Sequence, residues 1–444
     1  MDIQYVARWV NGDGTEEFTH PDLPLTEVSI TREIGVGRLT ATVPPEFLAQ
    51  VDHKGRRLIT EWATAIYVYD TGDLFDAFLI SDVTDEGDTA SIDCVGWLGF
   101  LSGFPYRGTF SARDIHAEDA INEIVNSLDE WPGADVGLST AFYGAFPDIG
   151  NPAPGDLPEI PTLPDKPPAF TEAQPKRPEY DYDDKARYNR LMRAYEKDRK
   201  AWRERRDAAR EIEMDYQGQV RDRENAQDKY EWTLDRAAYR LNWWTTHDLL
   251  RELQSVLGDI DAQVKVAHTE YSDGSIEHRL EFFSEKHTRV TAVDLVEGEN
   301  VIERVDITAG TDKHAKSVVV LGAGEGKGML RSTYHYEAGG DEGLQRVQTH
   351  IDKGLGSQYR VSRLADRLVR RRRHWKGYGT VTVIDTDKPG SGNGFDVGDE
   401  IMYRTTDRDG FDHEAWVLVT RIVMKPAEEL LEIDIEPIEE VATS

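Results

Sequence analysis

Prolines at 152, 154, 158, 161, 164, 167, 168, 175 and 178 bar regular helix and central strand from residues 149–180. The stretch that follows, to about residue 241, is almost pure helix former with interleaved charges of both signs. Whatever the rest of the chain builds must therefore tolerate a long interruption near its middle. We read 149–241 as one insertion, an extended Pro-rich arm going together with charged helix. Tyr188, Tyr195, Trp202, Ala209, Tyr216, Tyr230 and Ala237 fall on a seven-residue spacing. Leu191 and Ile212 start a second seam that Asp198, Arg205 and Gln219 break. The pattern predicts a helical hairpin broken at Gly218, or a helix lying on the protein body, since one unbroken helix would reach about 90 Å at about 1.5 Å per residue. An outward arm for partner proteins and a brace that buries its own aromatic seam are both open at this point.

The flanks read differently. In residues 1–105, Thr26–Arg32, Gly37–Val43, Trp62–Tyr69, Phe75–Ile80 and Thr89–Val95 carry strand patterns, separated by Asp70-Thr-Gly-Asp73 and Asp85-Glu-Gly-Asp88 turns. Residues 106–148 and 242–300 form an α+β connecting region. It has a helix over 113–128, with Ser111 or Asp114 as its cap, a second helix over 246–257, and strands near 262–269 and 277–283 joined at Ser272-Asp-Gly-Ser275. Residues 301–444 return to strands at 301–308, 316–321, 378–384, 398–405, 414–424 and 429–435, with one helix over 344–374. The expected fold is α+β and β-rich. It has two small β-barrel-like domains, N- and C-terminal, and an intervening α+β region that carries the Pro-rich and helical insertion.

Charge narrows the function. With 52 Lys and Arg against 83 Asp and Glu the net charge is −31, which argues against a protein whose main task is gripping nucleic acid. The single cysteine, Cys94, allows no internal disulfide and sits among Ile92, Val95 and Trp97 as a buried small side chain. The N-terminus lacks the pattern of a signal peptide and no window is apolar enough to span a membrane, so synthesis in a cytoplasm is expected.

Candidate chemistry is sparse. Gly322-Ala-Gly-Glu-Gly-Lys-Gly328 follows a strand, but Gly328 and Met329 stand where a phosphate loop needs its hydroxyl, and strand or loop follows where a dinucleotide loop needs a helix. His247, His268, His278, His287, His314, His335, His350, His374 and His413 make no metal-ligand spacing, and read as surface or satisfied residues. Asp407, Asp409, Asp412 and Glu414 crowd a loop whose spacing departs from a calcium loop. No cofactor or metal is expected. Acidic pairs such as those among Asp82, Asp85, Glu86 and Asp88 keep a hydrolase in view, though a sequence cannot show carboxylate separation. Arg370, Arg371, Arg372 and Arg373, with His374 and Trp375, form the strongest basic run and suit the acidic surface of a neighbouring subunit.

Several short segments, taken in order, resemble one family. They are the N-terminal strands ending in Cys94-Val-Gly-Trp-Leu-Gly-Phe-Leu101, then Asn242-Trp243-Trp244, Glu297–Val301, Gly322–Gly326 and Val397-Gly398-Asp399. Together the sequence resembles the hub-forming minor tail proteins of long-tailed, siphovirus-type bacteriophages of actinobacteria. The resemblance implies a trimeric tail-tip or baseplate hub in the virion, in which two similar barrel domains per chain match a hexameric distal tail ring. It implies a lumen that passes DNA without reading its sequence and holds the C-terminal end of the tape-measure protein. Other tail-tip or fibre proteins are implied as partners, with Tyr188, Tyr195, Trp202, Tyr216 and Tyr230 of the helical arm as the candidate contact. No catalytic site is expected, and with the chain stopping at Ser444 after its last strand, any cell-wall-degrading extension would belong to another protein. The alternatives from other classes are a tail-associated peptidoglycan hydrolase and a nucleotide-binding enzyme built on 322–328.

Overall fold

The structure, a computed structural model, describes the chain except residues 1–2, 34–35, 152–156, 181, 183, 261, 285–288, 304–316, 336–346, 354, 356–357, 374–378, 385–393, 407–411, 428–429, 438–441 and 444. The chain divides into two compact units: Met1–Gly150 with Tyr239–Ser444, and Asn151–Ala238.

The first unit is β-rich and built on one large sheet. Its hydrogen-bonded order begins Val301–Glu303, Thr380–Ile384, Leu430–Pro437, Asp412–Lys425 and Thr26–Glu33. It continues through Arg38–Val43, Ala90–Gly96, Asp73–Asp85, Thr64–Asp70 and Ile3–Val10 to Glu16–His20. The strand-rich ends of the chain thus meet at a single antiparallel seam, where Arg421, Ile422, Val423 and Met424 pair with Glu33, Arg32, Thr31 and Ile30. One apolar core crosses that seam: Ile30, Leu39, Ile66, Phe78, Ile92 and Cys94 share it with Val381, Ile401, Val417, Ile422 and Ile433. Burial pushes the Cys94 thiol well above its ordinary range, as an inert core residue requires.

Thr64–Asp70 is buried along its whole length, because both faces of the sheet are covered there. Ile66 and Val68 enter the first core, while Ala65, Tyr67 and Tyr69 enter a second. That second core holds Trp97, helices Ala117–Asn126 and Leu249–Asp259, and Leu280 and Phe282 of the three-stranded sheet Leu138–Tyr143, Ile276–Phe283 and Gln263–Glu270. A third, smaller core lies under helix Gln358–Arg373, where Val361, Leu364, Ala365 and Val369 cover Val318 and Val320 of strand Ser317–Leu321.

Three sequence expectations are corrected. The helix expected over 113–128 starts at Ala117; Ile115 and His116 are strand, and neither Ser111 nor Asp114 caps it, since the preceding residue is His116 and it makes no side-chain cap. The helix expected over 344–374 is a strand, Val347–Ile351, followed by a helix, Gln358–Arg373. The alternating Val-Gln-Thr-His-Ile favours strand. The hairpin expected within 181–241 is one uninterrupted 53-residue helix, Lys185–Ala237. Gly218 does not break it: a glycine in a helix costs only about 1 kcal/mol against alanine, and no other atom crowds the position.

Candidate functional site

In the second unit, Asp184 caps the long helix by accepting from the Arg187 amide at 2.9 Å. No residue of this helix is fully buried. Its aromatic seam is half-covered, and over Tyr188 and Trp202 the Pro-rich tract supplies cover. Tyr180 meets Tyr188 with ring centroids 4.7 Å apart, and Phe170 meets Trp202 edge-on at 6.1 Å. The Trp202 Nε1–H donates to the Glu172 carbonyl at 3.0 Å. Arg205 grips the Glu172 carboxylate with two nitrogens, its Nε at 2.8 Å, and this holds the carboxyl below its usual range.

The geometry closes along the length of the helix. At about 3.1 Å per extended residue and about 1.5 Å per helical residue, Tyr180 back to Glu172 and Tyr188 on to Arg205 each span about 25 Å. The tract and the helix therefore run side by side in opposite directions. Of the predicted contact residues, Tyr188 and Trp202 are the two with ring partners in the tract, while Tyr195, Tyr216 and Tyr230 are half-buried on the same seam. Glu172, Phe170 and Tyr180 were missed by pattern reading, because an extended strip without hydrogen-bond periodicity leaves no pattern of its own.

This arrangement makes a prediction. Trp202→Ala removes one ring contact worth about 0.5–1.5 kcal/mol and one hydrogen bond worth about 0.5–1.5 kcal/mol. Cleavage after Glu172 by a glutamate-specific protease should then accelerate by about ten-fold or more. Leu191→Ala, at an exposed position, should leave the rate unchanged. Equal rates for the two variants would mean the tract does not lie on the helix.

In the first unit, the segments that carry the family resemblance lie at turns and strand exits. Trp97–Leu101 is a buried single turn after strand Ala90–Gly96. A side chain at Gly99 would strike Val95 at 2.1 Å and Val36 at 2.6 Å, so only glycine fits there. The Asn242 side-chain oxygen accepts from the amides of Trp244 and Thr245 at 3.0 and 2.9 Å and turns the chain toward helix Leu249–Asp259. Asn300 closes the Glu297–Asn300 turn on Val296 and Asp294, with Gly298 at φ +82. Gly322 packs against Val361 and the Leu355 carbonyl, and Gly398, at φ +90, against Gln263.

The remaining candidates do not converge. Residues 326–328 form a short turn leading into strand Arg331–His335, so the glycine-rich exit opens no helix toward a phosphate. Arg370–Arg373 lie in the last turn of helix Gln358–Arg373, but their side chains, with His374 and Trp375, fall outside the described residues. Asp407 and Asp409 also lie outside them. Among the described residues no group of three or more His, Cys, Asp or Glu could hold a metal ion. Among the described residues no helix is long and apolar enough to cross a membrane.

No family model matches the chain, and no curated protein does. Among solved structures the chain is similar to the 43 kDa tail protein of prophage MuSo2 from Shewanella oneidensis, at 12% identity and a TM-score of 0.47, covering 98% of each chain. It is similar to the tail protein from Neisseria meningitidis MC58, at 11% identity and 0.46, over 98% of this chain and 96% of that one. Prophage tail protein gp18 from Listeria monocytogenes EGD-e aligns at 11% identity and 0.44, over 98% and 94%.

Proposed function

We propose that this protein is a structural component of a bacteriophage tail, the trimeric tail-tip or baseplate hub of a siphovirus-type phage of actinobacteria, with no catalytic role. The observation that carries the reading is the placement of the resemblance segments. In chain order they supply turns and strand exits of one β-rich unit, and several are glycines or asparagines that the local backbone requires. In this reading the two strand-rich ends act as the paired barrel-like domains that meet a six-fold distal tail ring. The net charge of −31 keeps a DNA-passing lumen from gripping its cargo. Arg370–Arg373 and Trp375 face an acidic surface of the neighbouring subunit, and the C-terminal end of the tape-measure protein sits in the lumen. Residues 149–241 contact other tip or fibre proteins.

The test is the mass of the purified chain by light scattering, alone and mixed with its distal tail protein, with images of the same samples. Three chains of 50.3 kDa give about 150 kDa and a three-fold ring with an open centre. A monomer in both samples would overturn the hub.

A further inference from the structure

The hairpin of strands Gln263–Glu270 and Ile276–Phe283 sets His268 directly opposite His278. Both side chains are buried, 5% and 3% exposed. Their Nδ1 atoms are 2.7 Å apart. Such a contact holds a single hydrogen, because one imidazole must donate and the other accept.

Every element packed around the pair brings a polar or charged group. From strand Glu16–His20, Glu16 Oε1 lies 2.7 Å from His278 Nε2. From Thr64–Asp70, the Tyr67 hydroxyl lies 3.0 Å from that nitrogen and donates to the same carboxylate. Trp97 stacks on the His278 ring at 3.8 Å. From Asp73–Asp85, Asp76 Oδ1 lies 3.6 Å from His268 Nε2. Arg32 binds Asp76 at 2.9 Å and reaches Asp396 at 3.5 Å. Arg8, over the Tyr67 ring, pairs with Glu270, which also accepts from the Tyr69 hydroxyl. On the strand of His278 itself, Glu277 is held by Ser139 and Tyr271, and Arg279 by Glu281.

The Glu16 carboxylate takes the Nε2–H of His278, so His278 accepts at Nδ1 and His268 donates. Burial, with His268 alongside, holds the His278 imidazole below its ordinary 6.5 against the opposing pull of Glu16. A second proton would put two N–H groups face to face at a distance that suits one. We propose that the His268–His278 pair is a proton-operated latch: sharing one hydrogen, the two imidazoles stay seated against Tyr67 and Glu16 on one side and Asp76 on the other, which holds the hairpin Gln263–Phe283 on strands Thr64–Asp70 and Asp73–Asp85, and uptake of a second proton drives the rings apart and opens it. The sign follows from linkage. The unfolded or opened chain binds the proton more tightly than the closed one, so the latch is whole above about pH 6.5 and is lost as pH falls from there toward the lowered value of His278.

The test is amide hydrogen exchange of the full-length chain, corrected for intrinsic rates, between about pH 7.5 and about pH 5.5. Protection of Gln263–Phe283 should drop by about ten-fold or more while that of Thr64–Asp70 holds. His268→Asn supplies an amide that can donate to or accept from His278 in either charge state, and should abolish the drop. Unchanged protection in the wild type, or an undiminished drop in His268→Asn, would overturn the latch. Imidazole 15N shifts of the wild type keep the test independent of that variant's folding. They should show the second proton entering the pair only as hairpin protection is lost; two independent titrations near 6.5 would also overturn it.

Discussion

Arg360→Leu should destabilise the packing of helix Gln358–Arg373 on the rest of its unit by about 3–5 kcal/mol. The Arg360 guanidinium lies 3.0 Å from Glu252 Oε1 and 3.2 Å from Asp259 Oδ2, both on helix Leu249–Asp259, and 5.5 Å from the Tyr239 ring centroid. All three charged side chains are nearly enclosed, at 17%, 16% and 13% exposure. Removing the cation leaves two carboxylates close together with poor access to water. That penalty exceeds what an exposed pair loses: Arg251, 70% exposed, reaches Asp352 at 3.0 Å, and Arg251→Leu should cost under about 1 kcal/mol. Urea unfolding with hydrogen exchange across residues 317–373 would measure both. The triple variant Arg360→Leu, Glu252→Leu, Asp259→Leu should recover most of the loss, because the buried charges go together. A loss under about 1 kcal/mol in the single variant would mean that the joint is open to water in solution.

How much of this was legible beforehand depends on the range of the contact. The strands were legible because their residues alternate or, as in Ile66-Tyr-Val-Tyr69, run apolar where both faces are covered. The seam that joins Ile30 to Met424 was not, because local pattern names a strand and not its neighbour across almost 400 residues of chain. The long helix is legible from Tyr188, Tyr195 and Trp202, and Gly218 does not break it because one glycine weighs little against some fifty favourable positions. The partners of Tyr188 and Trp202 lie in the adjacent Pro-rich tract, which has no periodicity by which a sequence could announce the contact. In the latch, the Asp273-Gly274 turn fixes the register that opposes His268 to His278. Glu16 and Asp76 come from strands almost 200 residues or more away, so pattern alone left these histidines as satisfied residues without naming what satisfied them.

Trp97 carries the other large effect. Trp97→Ala should cost about 3–5 kcal/mol, since the indole is fully buried in the second core and stacks on His278 at 3.8 Å. The surrounding elements, sheet on one side and helices Ala117–Asn126 and Leu249–Asp259 on the other, cannot collapse freely into the space. Trp97→Phe should behave differently. The indole Nε1 has no hydrogen-bond partner among the described residues, and an unpaired buried donor costs about 1–3 kcal/mol. Phenylalanine removes that donor while keeping a ring against His278. The lost volume and the relieved donor should nearly offset, leaving Trp97→Phe within about 1 kcal/mol of the wild type in urea unfolding. A phenylalanine variant as unstable as the alanine one would show that the indole N–H has an acceptor after all, and that tryptophan at this corner is held by polarity as well as by size.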